Sequence, residues 1–162
     1  MKEKIKVLFS DEVLKKVCIV LGIFVVLTSC FSFTFTFATA EGTSNYPTIK
    51  EGEILFEAKR FYSVEIDDFV CIIREDDDDN KRILKRVVAE EGDDVVIKDG
   101  HLYINDVMDE WDPEYYYLGE LDITVPVDSY FVLGDNRMSS IDSRSFGCIS
   151  KDEIVGELIM HR

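Results

Sequence analysis

Val95-Val96-Ile97-Lys98-Asp99-Gly100-His101-Leu102-Tyr103-Ile104 consists of two short runs of β-branched, aliphatic and aromatic residues joined by Asp-Gly. Asp-Gly supplies the two positive φ angles of a type I′ turn, so the stretch predicts a β-hairpin with arms over 94–97 and 101–104. The same texture repeats outward from it. Glu53 to Ala58, Asp68 to Ile73, Ile83 to Ala89, Ile123 to Val125 and Tyr130 to Leu133 are short Val/Ile/Leu/Tyr-rich runs with punctuation between them. No long amphipathic helix follows Glu41, and the expected fold is all-β, with antiparallel sheets closed or half-closed to protect their edges.

The chain has 162 residues, 46% hydrophobic and 31% charged, the size of one domain and too apolar for a disordered chain. A net charge of -15 argues against a nucleic-acid partner, whose phosphates call for a basic surface. Four Cys without a CxxC pair give no thiolate zinc site, and no metal or cofactor is expected. His101 and His161, the two histidines, lie far apart in sequence, so a His-based catalytic triad is poorly supplied.

Charge is unevenly spread. Residues 1–16 carry five Lys against three acids, whereas Val17 to Ala40 holds no acid or base. As a helix, the run 17–37 would span ~31 Å at ~1.5 Å per residue, one bilayer crossing. A Lys-rich leader stays on the cytoplasmic side, which puts the acidic remainder, 38–162, outside it. Two readings fit this segment: a retained anchor, or a cleavable export signal with Ala38-Thr39-Ala40 as its small-residue exit. Phe31, Phe33, Phe35 and Phe37 alternate with Ser and Thr, a period-two pattern that suggests the helix ends early and hands over to a first strand.

Three later segments carry candidate chemistry. Gly42-Thr43-Ser44-Asn45-Tyr46-Pro47-Thr48-Ile49 can present a hydroxyl on a Gly- and Pro-shaped turn, although alone it reads as an ordinary loop. In Lys81-Arg82-Ile83-Leu84-Lys85-Arg86-Val87-Val88, alternation puts Ile83 and Lys85 on one face and Leu84 and Arg86 on the other, so one of the two basic side chains should point inward. A strand Lys is usually a solvated edge guard, but a desolvated one has a lowered pKa and can accept a proton. Gly134 to Gly147 holds Asp135, Arg137, Ser140, Asp142 and Arg144, enough matched charge to brace a loop internally.

Taken together, these segments resemble the boxes of type I signal peptidases, membrane-anchored Ser/Lys serine proteases. The nucleophile box G-x-S-M-x-P-T-L is matched by Gly42 to Ile49, the base box K-R-V by Lys85-Arg86-Val87, and G-D-N-R-x-x-S-x-D-S-R-x-x-G by the run from Gly134. The resemblance covers about residues 15 to 156, and the single-anchor layout is similar to Gram-positive forms. It implies a coiled antiparallel, barrel-like β catalytic domain behind one N-terminal transmembrane helix. It further implies Ser44 as nucleophile and oxyanion N–H donor, Lys85 as general base and Ser140 as the group orienting its amine. Asp142 and Arg144 would form a bracing salt bridge, with Asp135 and Arg137 in the same support. The expected activity is endoproteolytic removal of signal peptides from exported preproteins after Ala-x-Ala-type sites, at the outer face of a bacterial plasma membrane, with preproteins and membrane lipid as partners. Two alternatives stand beside it: a self-cleaving Ser/Lys protease of the repressor type, and a secreted β-domain that binds without catalysis.

The chain departs from the pattern at Asn45, where the family has Met, and at Gly42, where some relatives carry a hydroxyl that aids the oxyanion. Glu53 replaces a usual Asp. Glu75 to Asp79 lacks the spacing of a calcium loop and reads as a solvated hairpin tip. Asp109 to Glu120, with Trp111 and Tyr115 to Tyr117, reads as a flap over one sheet. Cys71 and Cys148 read as unpaired small hydrophobes.

Overall fold

A computed structural model describes residues 11–60, 62–74, 82–109, 117 and 119–161. The acidic run 75–79, Lys81, Trp111, Tyr115 and Tyr116 lie outside the described residues. The N-terminal helix α1 (Asp11–Thr34) is long and apolar enough to cross a bilayer and buries none of its residues. It gives way directly to β1 (Phe35–Thr39), so the apolar run 17–37 is divided between helix and strand. Phe35 and Phe37 are the reason. Alternating large aromatics suit a pleated edge, and both rings pack on Phe56 of β2 (Ile54–Ala58), with centroids 5.3 and 5.0 Å away. Lys59 closes the junction: its N–H donates to the Thr34 carbonyl at 2.7 Å and its ammonium to the Ser32 carbonyl, satisfying acceptors that the helix end leaves open.

The remaining strands are β3 (Phe69–Ile73), β4 (Arg82–Glu90), β5 (Asp94–Lys98), β6 (His101–Ile104), β7 (Val107–Met108), β8 (Leu121–Thr124), β9 (Ser129–Leu133), β10 (Ile149–Ser150) and β11 (Ile154–His161). A one-turn helix, α2 (Ser143–Phe146), sits between β9 and β10. Seven strands form an antiparallel sheet in the order β1-β2-β11-β3-β4-β9-β10, curled into a half-barrel, and four form a second in the order β7-β6-β5-β8. The expected hairpin joins β5 to β6 with Asp99 and Gly100 at φ 51° and 79°, as a type I′ turn requires.

Two strands of the large sheet arise where the sequence reading has no strand. β11 lies centrally, between β2 and β3, although Gly156 interrupts its apolar run. That glycine has a packing reason: a Cβ there would meet the Ala58 carbonyl at 3.0 Å, and the ladder to β3 shifts register beside it. β10 is only two residues long and pairs Ile149 with Tyr130.

The core is layered. Under the small sheet, Val95, Ile97, Leu102 and Val125 pack against Phe131 and Leu133 of β9. Behind the large sheet lie Val70, Ile72, Val87 and Val132. A third, smaller cluster of Ile49, Leu55 and Phe69 fastens the loop after β1 to the sheet, and it is this loop that carries Ser44.

Candidate active site

The loop between β1 and β2 is held at both ends. Gly42 takes φ 77°, which a β-carbon disfavours, and Ile49, 2% exposed, plugs the third core cluster while its N–H donates to the Asn45 carbonyl at 2.8 Å. The Ser44 carbonyl accepts the Asn136 N–H at 2.9 Å, and the Asn136 side-chain amide donates to the Thr43 carbonyl at 3.0 Å. The serine turn is thus strapped to the loop after β9. Among the described residues, the Ser44 N–H donates to no protein acceptor, so it is available to a ligand. Asn136 received no role from the sequence, although it sits within the quoted run.

Lys85 lies on β4 opposite Val70, with Leu84 opposite Cys71 and Arg86 opposite Phe69, the alternation read from the sequence. One correction follows: both basic side chains are buried, Lys85 at 4% and Arg86 at 9% exposure, instead of one inside and one out. The sheet is covered on both faces here. Arg86 lies 4.1 Å over the Phe69 ring and makes a two-pronged ion pair with Asp135, both bonds 2.8 Å. For Lys85, burial brings the ammonium down to about 8; the Asp142 carboxylate opposes the shift and the Arg144 guanidinium adds to it.

The loop after β9 turns on Asp142, which is fully buried. It caps α2, takes two bonds from the Arg144 guanidinium at 2.7 and 2.8 Å, and accepts the Gly134 N–H at 3.0 Å, so one carboxylate ties both ends of the loop. Asp135 and Arg137 do not share that pair. Asp135 faces Arg86, whereas Arg137 donates to the Gly134 carbonyl at 2.9 Å and to Asp109 at 3.1 Å. The expected single brace is three clamps, each to a different element, because the loop is covered by β4 on one side and by the chain after β7 on the other. Arg86 and Asp109 are the partners that sequence reasoning missed; a Lys-Arg pair inside a strand was the available sign for the first.

Ser140 completes the group. Its hydroxyl is buried with no partner among the described residues, and it presses on Gly134, where a Cβ would meet Ser140 Oγ at 2.2 Å and the Ser44 carbonyl at 2.5 Å. Ser44, Asn45 and Lys85 line one cleft of about 420 Å³, together with Ala38, Ala40 and Leu84. The arrangement brings a half-buried serine on a turn, a desolvated amine and an N–H without a partner among the described residues to one cleft that small and apolar side chains help to line, while the Ser140 hydroxyl stands behind it against Gly134. The parts of hydroxyl-nucleophile chemistry are present without a histidine. Cys71 lines the same cleft, but burial pushes its thiol up to about 11, far from a thiolate.

A half-barrel sheet behind an apolar helix long enough to cross a membrane, with such a cleft, fits a serine peptidase, and comparison with known proteins supplies the family. The family described as signal peptidase, peptidase S26, matches residues 11–161, and the chain belongs to that family and is a serine peptidase. It is 31% identical to signal peptidase I U of Bacillus subtilis (strain 168) over 87% of this chain and 84% of that one. With signal peptidase I T of the same organism it shares 35% identity over 76% and 72%. A solved signal peptidase I from Enterococcus faecalis V583 superposes with a TM-score of 0.51 at 28% identity, covering 61% of this chain and 99% of that structure.

Proposed function

We propose that this chain is a membrane-anchored endopeptidase that removes N-terminal signal peptides from exported preproteins, cutting after small residues of Ala-x-Ala type. Ser44 is the nucleophile and Lys85 the general base. The observation that carries the reading is the shared cleft, in which Ser44 stands with a Lys85 amine whose pKa lies near 8. At neutral pH a useful fraction of that amine, about a tenth, is uncharged, whereas an ordinary lysine at 10.5 would be almost wholly protonated.

In acylation, Ser44 Oγ attacks the scissile carbonyl while Lys85 Nζ takes the hydroxyl proton and passes it to the departing amine. In deacylation, water attacks the ester carbonyl as Lys85 takes its proton; the bond to Ser44 Oγ then breaks, Lys85 returns that proton to Oγ, and the acid product leaves. The Ser44 N–H faces the oxyanion, and Ser140 directs the Lys85 amine toward Ser44. The small lining residues Ala38 and Ala40 shape shallow subsites that accept Ala and exclude larger side chains. Residues 1–16 are cytoplasmic and the apolar part of α1, 17–34, lies in the bilayer; because 35–37 pair with β2, the extracytoplasmic domain begins with β1 and not at residue 38. Sharing one membrane with the preprotein raises its effective concentration, and lipid is a partner in that sense. The test is purified full chain beside Ser44→Ala and Lys85→Ala, incubated with a preprotein bearing an Ala-x-Ala exit. Cleavage by the wild type and none by the variants is expected; equal cleavage by either variant removes the dyad. Extraction with carbonate tests the anchor, which predicts that the full-length chain stays in the membrane pellet.

A further inference from the structure

The cleft has a second chemical character at the end away from Ser44. Glu57 of β2 is 1% exposed, a rare burial for a carboxylate, and its Oε2 accepts from Arg82 Nη2 at 2.7 Å. The Arg82 side chain is 41% exposed, so the pair shows the cleft its cation and hides its anion. Both residues line the cleft that holds Ser44 and Lys85. One guanidinium prong serves Glu57 and the Cys71 thiol lies beside it, which still leaves Arg82, with five N–H donors, some for another acceptor.

Its position along the groove follows from the register. Glu57 is level with Thr36 and Leu55 with Ala38, so the step from Leu55 to Glu57 runs toward α1 and away from the Ser44 loop. Arg82 lies three residues before Lys85 on β4, roughly 10 Å at about 3.3 Å per residue. From Arg86 onward β4 pairs with β9, but residues 82–85 have a strand on one side only among the described residues. An extended peptide could add along that edge. If the proposed function holds, the residues upstream of the cut lie on the α1 side, because they lead back to the apolar signal core in the membrane.

We infer that the Arg82–Glu57 pair forms a polar subsite for the fourth to sixth substrate residues upstream of the cut, favouring an acidic or other acceptor side chain and disfavouring Lys or Arg. The inference rests on the peptidase reading, and the net charge of -15 works against it, since the bulk field favours a basic substrate. An acidic preference would therefore have a local source.

The experiment uses the full-length chain in detergent and preproteins identical except for Asp, Asn or Lys at each of those three positions. The expected order of kcat/KM at one or more of them is Asp, Asn, Lys, with roughly three- to tenfold between Asp and Lys at low salt, shrinking in 1 M NaCl. In the double variant Glu57→Gln/Arg82→Gln, which leaves no lone buried charge, the Asp to Lys ratio should fall to or below one. Cleavage of all wild-type substrates with Asp and Lys within twofold of each other, or with Lys preferred, overturns the subsite; so does an Asp preference that persists in the double variant. Failure to cut any of them overturns the peptidase reading instead. The wild-type substrate series decides the matter even if the double variant does not fold.

Discussion

The side-chain amide of Asn45 donates to the Leu84 carbonyl at 2.9 Å and so joins the residue after Ser44 to the residue before Lys85. Asn45 is 7% exposed and its Oδ1 has no partner among the described residues, so the bond is made at the expense of a buried, unsatisfied acceptor. A Met at this position could not make the bond. Loss of one such bond is worth about 1 kcal/mol, and its effect here is on the spacing of the proposed nucleophile and base. Asn45→Ala is expected to lower kcat roughly tenfold with KM within about twofold, because substrate contacts survive and alignment does not. Unchanged kcat would show that the clip has no part in catalysis.

If Lys85 is the base, its burial sets the pH dependence. With its amine at about 8, the fraction competent to accept a proton falls about tenfold per pH unit below that value and is near complete above it. The rate constant kcat/KM should rise to a plateau with an inflection near pH 8, read from initial rates on one preprotein. Lys85→Arg should be inactive across the range, since a guanidinium stays protonated. Substantial turnover by that variant would remove Lys85 as base.

The same burial makes Lys85 a destabilising residue. Its folded pKa, about 8, lies below the ordinary value of 10.5, so at pH 7 the unfolded chain is fully and the folded chain mainly protonated, and the folded state bears most of the penalty. As pH rises from about 8 toward 10.5 the folded state releases its proton first, and the contribution of this group to stability becomes less unfavourable. Lys85→Leu should therefore raise stability at pH 7 by about 1–3 kcal/mol while abolishing activity, and should remove this group's gain with pH. Denaturant melts of both proteins at pH 7 and 9.5 measure it.

Much of this was legible in the sequence, and the parts that were not share a cause. Short β-branched runs and the Asp99-Gly100 turn announced the strands because their determinants are local. β11 escaped because Gly156 breaks its pattern for the sake of a contact with Ala58, a residue about a hundred positions earlier. Partner choice behaved alike. The Asp142–Arg144 pair spans two residues, whereas Asp135 and Arg137 find Arg86 and Asp109, which only the closed fold brings near. Glu57 gave a faint sign, an acid at an inward position beside Leu55, but its meaning depends on Arg82 reaching across the curled sheet.

The Asp135–Arg86 pair is a prediction about stability more than chemistry. Both side chains are nearly inaccessible and the pair is two-pronged, so removing one partner leaves a buried charge without its counterion. Asp135→Ala is expected to destabilise the domain by about 3–5 kcal/mol. Arg86→Met/Asp135→Leu, which removes both charges, should recover much of that, because burying the pair carried its own desolvation penalty. A double variant no more stable than the single one would mean that Arg86 holds the sheet chiefly through Phe69 and the Asp67 carbonyl, to which it also bonds at 2.8 Å.

Gly134 offers the sharpest geometric test of how the site is assembled. It lies where β9 ends, with its N–H on Asp142 and its carbonyl on Arg137, and a methyl group at its Cα would lie 2.5 Å from the Ser44 carbonyl and 2.2 Å from Ser140 Oγ. The hydroxyl can rotate away, but Ser140 Cβ, which the methyl group would meet at 2.6 Å, does not move with it, and the Ser44 carbonyl is backbone, held at 2.9 Å by the Asn136 N–H, and cannot yield without moving the serine turn. Gly134→Ala should therefore cut kcat by two orders of magnitude or more, as expected when reacting groups are misplaced by about 1 Å. The accompanying loss of stability should be about 1–3 kcal/mol, typical of overpacking. Gly147 provides the control, since a methyl group there would meet no atom within 4 Å although its φ is 83°. Its Ala variant meets backbone strain alone and should lose stability with kcat largely kept. Comparable activity in the two variants would mean that the Ser44 turn does not depend on the close approach at Gly134.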